Sequence, residues 1–398
     1  MSEGIRKYFQ GDRVIWAIII VLSIFSLLAV YSSTGTLAYR KMDGNTLYFL
    51  IRHGLILGIG ILIIFVTHMI PYKYYFRLSQ LFLYLAVPLL FLTLLLGTSL
   101  NQAARWLTLP GLGITIQTSD FAKLALIMYT ARMLSLRQDR IKSYREAFIP
   151  LIIPIVLVCM LILPANLSTS LILFATCMVL MFIGRVRIRH LLAFAGIGVL
   201  AIGLFITTTM LIDKEGRVGT WRHRVEQFIQ PDGEEGYQVE QAKIAIATGG
   251  LFGVKPGKSV QRNFLPHPYS DFIYAIIIEE YGLIFGGIPI MLAYLILLFR
   301  AGVIVRKANR TFPAFLAIGL TLSIVIQAVV NMGVAVNLFP VTGQNLPMVS
   351  MGGSSLLFTG VSLGIILSVS RGVEKEVEEM ENTEDSIESD EQEAENID

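Results

Sequence analysis

VIWAIIIVLSIFSLLAVY, residues 14–31, runs through eighteen positions without a charge. That is about the length at which an apolar helix crosses a bilayer, roughly 20 residues at 1.5 Å each. No small-residue cleavage site follows it, so it reads as a retained first span and not as a removable leader. Nine further apolar runs follow, at 48–70, 78–97, 119–134, 147–163, 171–184, 190–212, 272–299, 311–335 and 352–370. The fourth and sixth are short, and the count they give is about ten transmembrane helices. The fold class expected is therefore an all-α integral membrane protein. A short N-terminal segment (1–13) precedes a membrane domain (14–370), and a tail (371–398) follows it.

Composition agrees. Of 398 residues 54% are hydrophobic and 15% charged, and the mean hydropathy is +0.66. A soluble domain of this size needs a polar skin that such a chain cannot supply. Cys159 and Cys177 both lie inside apolar runs and read as small buried hydrophobes. The net charge of +3 conceals an asymmetry: residues 371–398 hold thirteen acids and two bases, leaving the other 370 residues with 30 bases and 16 acids. A tail so acidic and so poor in aromatics is expected to be disordered, as a solvated extension or a partner-docking arm.

Basic residues fix the expected orientation. With the N-terminus in the cytoplasm, the short loops and termini on that side hold 19 Lys and Arg, against three (Arg40, Lys41, Arg105) on the other. Both termini are expected inside. One long polar segment, 213–271, is placed outside between spans seven and eight; long loops are exempt from the charge rule. A loop of that length in so compact a chain is expected to be functional.

Polar residues near the outer ends of spans are the candidate functional groups. Arg105-Trp106 follows the third span as an interfacial anchor or a site. Asp120 and Lys123, three apart on the fourth, share a helix face and either lock to each other or line a polar cavity. Arg222 and Arg224 in the long segment suit a phosphate, because the guanidinium fork binds it in a bidentate manner; headgroup contact is the alternative. Asp271 stands where that segment meets the eighth apolar run, as a helix-start carboxylate or a general base. Glu279 and Glu280 are expected about 12 Å deeper on the same helix, and at least one must meet a cation or backbone donor. The loop 337–355, uncharged and rich in Gly, Pro and Ser, suits close approach to an anion or a re-entrant turn. His53, His68 and His190 are isolated and read as structural. No nucleotide fingerprint or histidine pair of metal-ligand spacing is present, and nothing points to nucleic acid.

Four stretches carry a resemblance: NQAARWL with QTSDFAKLA (101–125), GYQVEQAKIAIATGGLFG (236–253), LPHPYSDFIYAIIIEEYG (265–282) and FPVTGQNLPMVSMGGSS (339–355). Together, in this order and on a ten-span frame, they resemble the SEDS family, the FtsW and RodA proteins of bacteria, over all but the acidic tail. AVNLFPVTGQNLP and the acidic tail resemble the FtsW-like division branch, whereas Val341-Thr-Gly343 is RodA-like in many bacteria. The resemblance implies an inverting glycosyltransferase in the bacterial cytoplasmic membrane that polymerises lipid II into peptidoglycan. The implied partners are a class B penicillin-binding transpeptidase and other divisome proteins. It implies Asp271 as the catalytic acid position, with Arg105, Trp106, Asp120 and Lys123 at family motif positions. Two departures stand out: Thr118 and Asp120 replace the usual Pro and Glu, and Asn166 replaces an acid in the loop after span five, which puts a catalytic duty for that loop in doubt. Asn263 likewise stands where relatives often have an acid.

The chemistry so implied needs a base for the attacking hydroxyl, expected to be Asp271, and cationic stabilisation of departing pyrophosphate, expected from Arg105, Lys123, Arg222 and Arg224. Gln238, Gln241, Ser350, Ser354 and Ser355 are further candidate substrate contacts. No cofactor is evident; a divalent cation such as Mg or Mn would assist the leaving group, although the sequence shows no cage for one. A lipid-precursor flippase and a noncatalytic scaffold are the rival readings.

Overall fold

The computed structural model describes residues 10–41, 44–100, 103–108, 115–212 and 234–395. The chain opens on helix α1 (Arg13–Ser33), then a short α2 (Gly35–Lys41), α3 (Thr46–Met69) and α4 (Tyr72–Leu96). Three short strands, β1 (Thr98–Leu100), β2 (Ala103–Thr108) and β3 (Thr115–Gln117), lead into α5 (Thr118–Leu136). Then come α6 (Ile149–Ile162), α7 (Leu167–Ile183), α8 (Ile188–Ile212) and α9 (Glu234–Gly249). The chain ends with α10 (Ile273–Gly282), α11 (Ile288–Lys307), α12 (Thr311–Ala335) and α13 (Gly353–Glu395).

Every expected apolar run carries a helix. Seven of the described helical segments are long and apolar enough to cross a membrane. Helix α5, which carries Asp120, Lys123 and Arg132, and the 17-residue α7 fall outside that set. We call the end of the bundle where α1 finishes and α5 begins distal, and the end where α1 begins proximal.

At the proximal end, Asp12 caps α1 by accepting from Val14 N at 2.8 Å, and its second oxygen lies 2.6 Å from Arg300 Nε on α11. A paired and capped carboxylate of this kind tolerates burial, and Asp12 is buried. The histidines expected to be structural have these neighbours: His53 Nε2 lies 2.8 Å from Ser26 Oγ, with the residue also lining a cavity at the distal end, His68 Nδ1 lies 2.6 Å from Phe65 O, and His190 packs on Tyr144 and Phe148. Both cysteines are free and buried.

Three expectations are corrected. The segment between α4 and α5, read as a loop in an all-α chain, forms an antiparallel sheet in the order β1-β2-β3, with Trp106 opposite Gln117. Its strands are three to six residues long, too short for alternation to announce them.

The tail from 371 continues α13 as helix to Glu395 instead of being disordered. Beyond Gly372 it contains no Gly or Pro and is rich in Glu, a good helix former. Its first turns are also tied down, Glu376 accepting from Tyr72 Oη at 2.5 Å.

The third correction concerns 272–299, expected as one span. Gly282, at φ +76°, ends α10, and a π-helical turn (Leu283–Gly287) starts α11 in a new direction. A Cβ on Gly286 would lie 2.9 Å from Ile277 O, whereas a continuous helix would set those residues about 13 Å apart. Only glycine serves at the break: a Cβ on Gly282 would meet Gly253 N at 2.5 Å, and one on Gly253 would meet Gly282 N at the same distance. Leu283 N and Ile284 N donate to Gly250 O and Leu251 O at 2.9 and 3.1 Å, so the turn is hydrogen-bonded to the segment after α9.

Glu279 and Glu280 consequently do not lie toward the middle of the bundle. Glu280 accepts from Ser32 in the last turn of α1, at the distal end. Arg262 Nη1 also reaches Ser32, at 3.0 Å to its carbonyl. Glu279 accepts from Val260 N at 2.9 Å and Gln261 N at 3.2 Å, and from Ser259 Oγ. The expected donors are there, supplied by the returning segment.

Candidate functional site

Asp271 lies at the first end of α10, half-buried, one residue before the Phe272 cap. Ser270 Oγ is 2.8 Å from Asp271 Oδ1 and 2.6 Å from the Asn345 side-chain oxygen position. A serine has one proton, so donating it to the carboxylate requires Asn345 to turn its NH2 toward Ser270. The loop 337–352 therefore holds the carboxylate through a side-chain amide. It also holds the backbone: Ser350 Oγ donates to Ser270 O at 2.6 Å, and Met351 N to Tyr269 O at 2.9 Å. Gly343, at φ +62°, passes so near that its Cβ would lie 3.8 Å from Asp271 Oδ2.

Two amides on α12 support this loop from within the bundle. Asn331 Nδ2 lies 3.0 Å from Asp271 O and 2.6 Å from Gln344 O. Gln327 Nε2 donates to Asn345 O at 2.9 Å, while its Oε1 accepts from Lys123 Nζ at 3.0 Å. Being four apart, they share one helix face. Gln344 is fixed in turn by Thr169 Oγ1 at 2.9 Å, at the start of α7, whose N-cap is Asn166. Asn166, where a carboxylate is missing, thus serves as a helix cap in this chain.

Lys123 is 12% exposed and pairs with Asp120 at 2.9 Å. Both sequence readings of this pair hold: they lock together, and they line a cavity of about 30 Å³ with Gln327, Ser355 and Thr359. Asp120 Oδ2 is buried and has no hydrogen-bond partner among the described protein atoms.

A second, larger cavity of about 310 Å³ opens at the distal end. Its walls include Arg52 and Tyr48 of α3, Trp106 of β2, Tyr269 two residues before Asp271, and Gly353-Ser354 at the start of α13. Ser354 Oγ also accepts from Gln117 N at 3.2 Å, tying α13 to β3. Burial, and then the charge of Asp271, hold the Tyr269 phenol above its ordinary pKa, so it remains neutral. The cavity therefore combines aromatic side chains, among them Tyr48, Trp106 and Tyr269, with a guanidinium and a helix start, a set suited to a sugar joined to an anionic phosphate.

The structure thus gathers Asp271, Ser350, Trp106 and Ser354 around one end of the bundle, with Asp120, Lys123 and Ser355 just inside it. Gln238 and Gln241 lie half-buried on α9, which packs against α10. Arg105 is in β2, and only its backbone is described. Arg222 and Arg224 lie outside the described residues. Sequence reading passed over Arg52, Ser270, Gln327, Asn331 and Asn345. Arg52 and the two α12 amides carried a signal, since polar groups inside apolar runs are rare and must be partnered.

The family model described as cell cycle protein, FtsW/RodA/SpoVE, matches residues 12–375. The chain is 33% identical over 383 residues to a probable peptidoglycan glycosyltransferase FtsW of Trichlorobacter lovleyi, covering 94% of this chain and 97% of that one. It is 34% identical over 371 residues to the stage V sporulation protein E of Bacillus subtilis, covering 92% and 98%. Among solved structures it resembles a chain described under structural coordination of polymerization and crosslinking by a peptidoglycan synthase complex (TM-score 0.69, 26% identity, 91% and 98% covered). It shares the fold of Thermus thermophilus rod shape determining protein RodA (TM-score 0.65, 24% identity, 92% and 98% covered). The chain belongs to the FtsW/RodA/SpoVE family of cell cycle proteins.

Proposed function

We propose that this protein is a peptidoglycan glycosyltransferase that polymerises lipid II at the outer face of the bacterial cytoplasmic membrane during division. The observation that carries this reading is a carboxylate, Asp271, fixed by Ser270 and the 337–352 loop beside a cavity lined by Arg52, Trp106 and Tyr269. Asp271 takes the proton of the acceptor 4-hydroxyl as its oxygen bonds to the anomeric carbon of the growing strand. The anomeric bond to pyrophosphate breaks on the opposite face, inverting the centre. Arg52 and the N–H groups opening α13 at Gly353-Ser354 stabilise the departing charge, and Arg105 and the Arg222/Arg224 pair are further candidates.

The distal end is then extracytoplasmic and both termini are cytoplasmic, in line with 19 basic residues against three. Ten spans are the frame, with α9, the segment that follows it and α10 at its outer end. Among the described residues, no three His, Cys, Asp or Glu side chains gather to hold a metal. A divalent ion taking part would arrive on the substrate pyrophosphate. The partner is a class B transpeptidase, by analogy with the complex that couples polymerization and crosslinking, alongside other division proteins. The cavity around Lys123 has room for a water or two, far too little for a disaccharide, which weighs against a flippase path.

The test is reconstitution with purified lipid II and the transpeptidase. Long glycan product supports the reading. Precursor translocation without polymer would replace it with a flippase, and neither activity would leave a scaffold.

A further inference from the structure

Between Lys123 and Asp271 the structure contains an unbroken chain of contacts that passes through neutral amides. Lys123 Nζ lies 3.0 Å from Gln327 Oε1, Gln327 Nε2 lies 2.9 Å from Asn345 O, the Asn345 side chain lies 2.6 Å from Ser270 Oγ, and Ser270 Oγ lies 2.8 Å from Asp271 Oδ1. Gln327 joins the lysine to the loop by accepting on one side and donating on the other. Its carbonyl is taken by a cation and its NH2 by a main-chain carbonyl, so its orientation is set and the amide cannot turn over. It is buried in the membrane-spanning part of α12, where an amide without both partners would be strongly unfavourable.

We propose that Gln327 is a positioning residue for Asp271, and that Lys123, turned inward and bonded to Asp120 and Gln327, serves the reaction by orienting this amide. The substrate does not touch either residue. Lys123 biases the Gln327 carbonyl, which aims the NH2 at Asn345 O. That in turn sets the height of the loop from which Asn345 and Ser350 hold Ser270 and the carboxylate. Misplacing a base by about an ångström costs on the order of a hundredfold in rate with little effect on ground-state binding. This inference rests on the glycosyltransferase reading above.

Two substitutions separate the roles of the amide. Gln327→Glu keeps an acceptor for Lys123 and removes the donor to Asn345. Gln327→Met keeps the bulk and removes both. Purified, monodisperse variants are assayed for kcat and KM with lipid II, with Asp271→Asn in parallel. Both Gln327 variants are expected to lose about tenfold or more in kcat, with KM for lipid II within about twofold of the parent. A Gln327→Glu variant with parental kcat, or either variant raising KM at unchanged kcat, overturns the proposal; the latter would place Lys123 on the substrate. Should Gln327→Met fail to fold, Gln327→Glu, which retains the lysine contact, decides alone. An active Asp271→Asn would assign the base elsewhere and remove the positioning role with it, whereas a parent that makes no polymer would remove the functional reading itself. A dead Asp271→Asn beside an active Gln327→Glu would remove only the positioning role.

Discussion

The side-chain amide of Asn331 lies 3.0 Å from the main-chain oxygen of Asp271, so a residue of a membrane-spanning helix holds the backbone of the candidate base. The same NH2 lies 2.6 Å from Gln344 O on the opposing loop. Replacing Asn331 with Leu leaves two carbonyls without their donor, at about 1–3 kcal/mol for such a loss. We expect Asn331→Leu to insert and purify, to melt several degrees lower in detergent, and to lose most polymerase activity. Parental activity at a lowered melting temperature would show that Asn331 supports the fold without serving the site.

Asp271→Asn keeps the shape and the Ser270 contact but cannot accept the hydroxyl proton. A positioned base contributes about 10²–10⁴-fold, and the glycan product on a gel should fall by at least the lower figure. Product of parental length and rate would assign the base elsewhere.

Arg52 faces the distal cavity, whereas Lys123 faces inward. Arg52→Ala should therefore lower kcat/KM for lipid II, and Arg52→Lys, which keeps the charge but loses the fork, should recover only part of it. Unchanged kinetics in Arg52→Ala would move the leaving group to Arg105 or to the start of α13.

Gly282→Ala places a methyl against Gly253 N and forces an L-residue into a left-handed conformation. The strain, of order 1–3 kcal/mol, should appear as lower yield of folded protein and a lower melting temperature. A variant as stable as the parent would mean that the turn relaxes freely.

Deleting 374–398 removes the contacts of Glu376 with Tyr72 and Arg310. The solvent-facing ion pair with Arg310 contributes about 0–1 kcal/mol, the hydrogen bond from Tyr72 about as much again, and the site is at the opposite end of the bundle. Polymerisation in vitro should be retained. Loss of activity in a well-inserted truncation would show that the tail acts on the site across the membrane domain.

Much of the fold was legible because a bilayer imposes length and apolarity on each span, and every one of the ten runs did carry a helix. The break at Gly282 was not, since Ile273–Lys307 is apolar on both sides of the turn and hydropathy carries no direction. Its signal was local: Gly282-Leu-Ile-Phe-Gly-Gly puts three glycines at one bend. Asp271, Ser350 and Lys123 stood out by charge or by company. Gln327 and Asn331 did not, because an amide draws less notice than an acid, although it too must be partnered when buried. The tail misled in the other direction, since the acidity that suggests disorder comes from Glu, which also favours helix.

The bend at Gly282 bears on how the chain is threaded during synthesis. A mainly apolar segment of 35 residues, Ile273–Lys307, offers a translocation channel more than it needs for one crossing. If α10 left the channel sideways with α11, Asp271 and the glutamate pair would be dragged off their partners. The segment 249–263 is made first and supplies the amides and carbonyls that catch Glu279, Glu280 and the turn. On the topology proposed above, the same contacts are expected to act during biogenesis as a stop, keeping α10 on the far side while α11 alone enters the lipid. Reporters fused after Asn263 and after Gly282 should accordingly fall on the same side of the membrane, and one fused after Lys307 on the other.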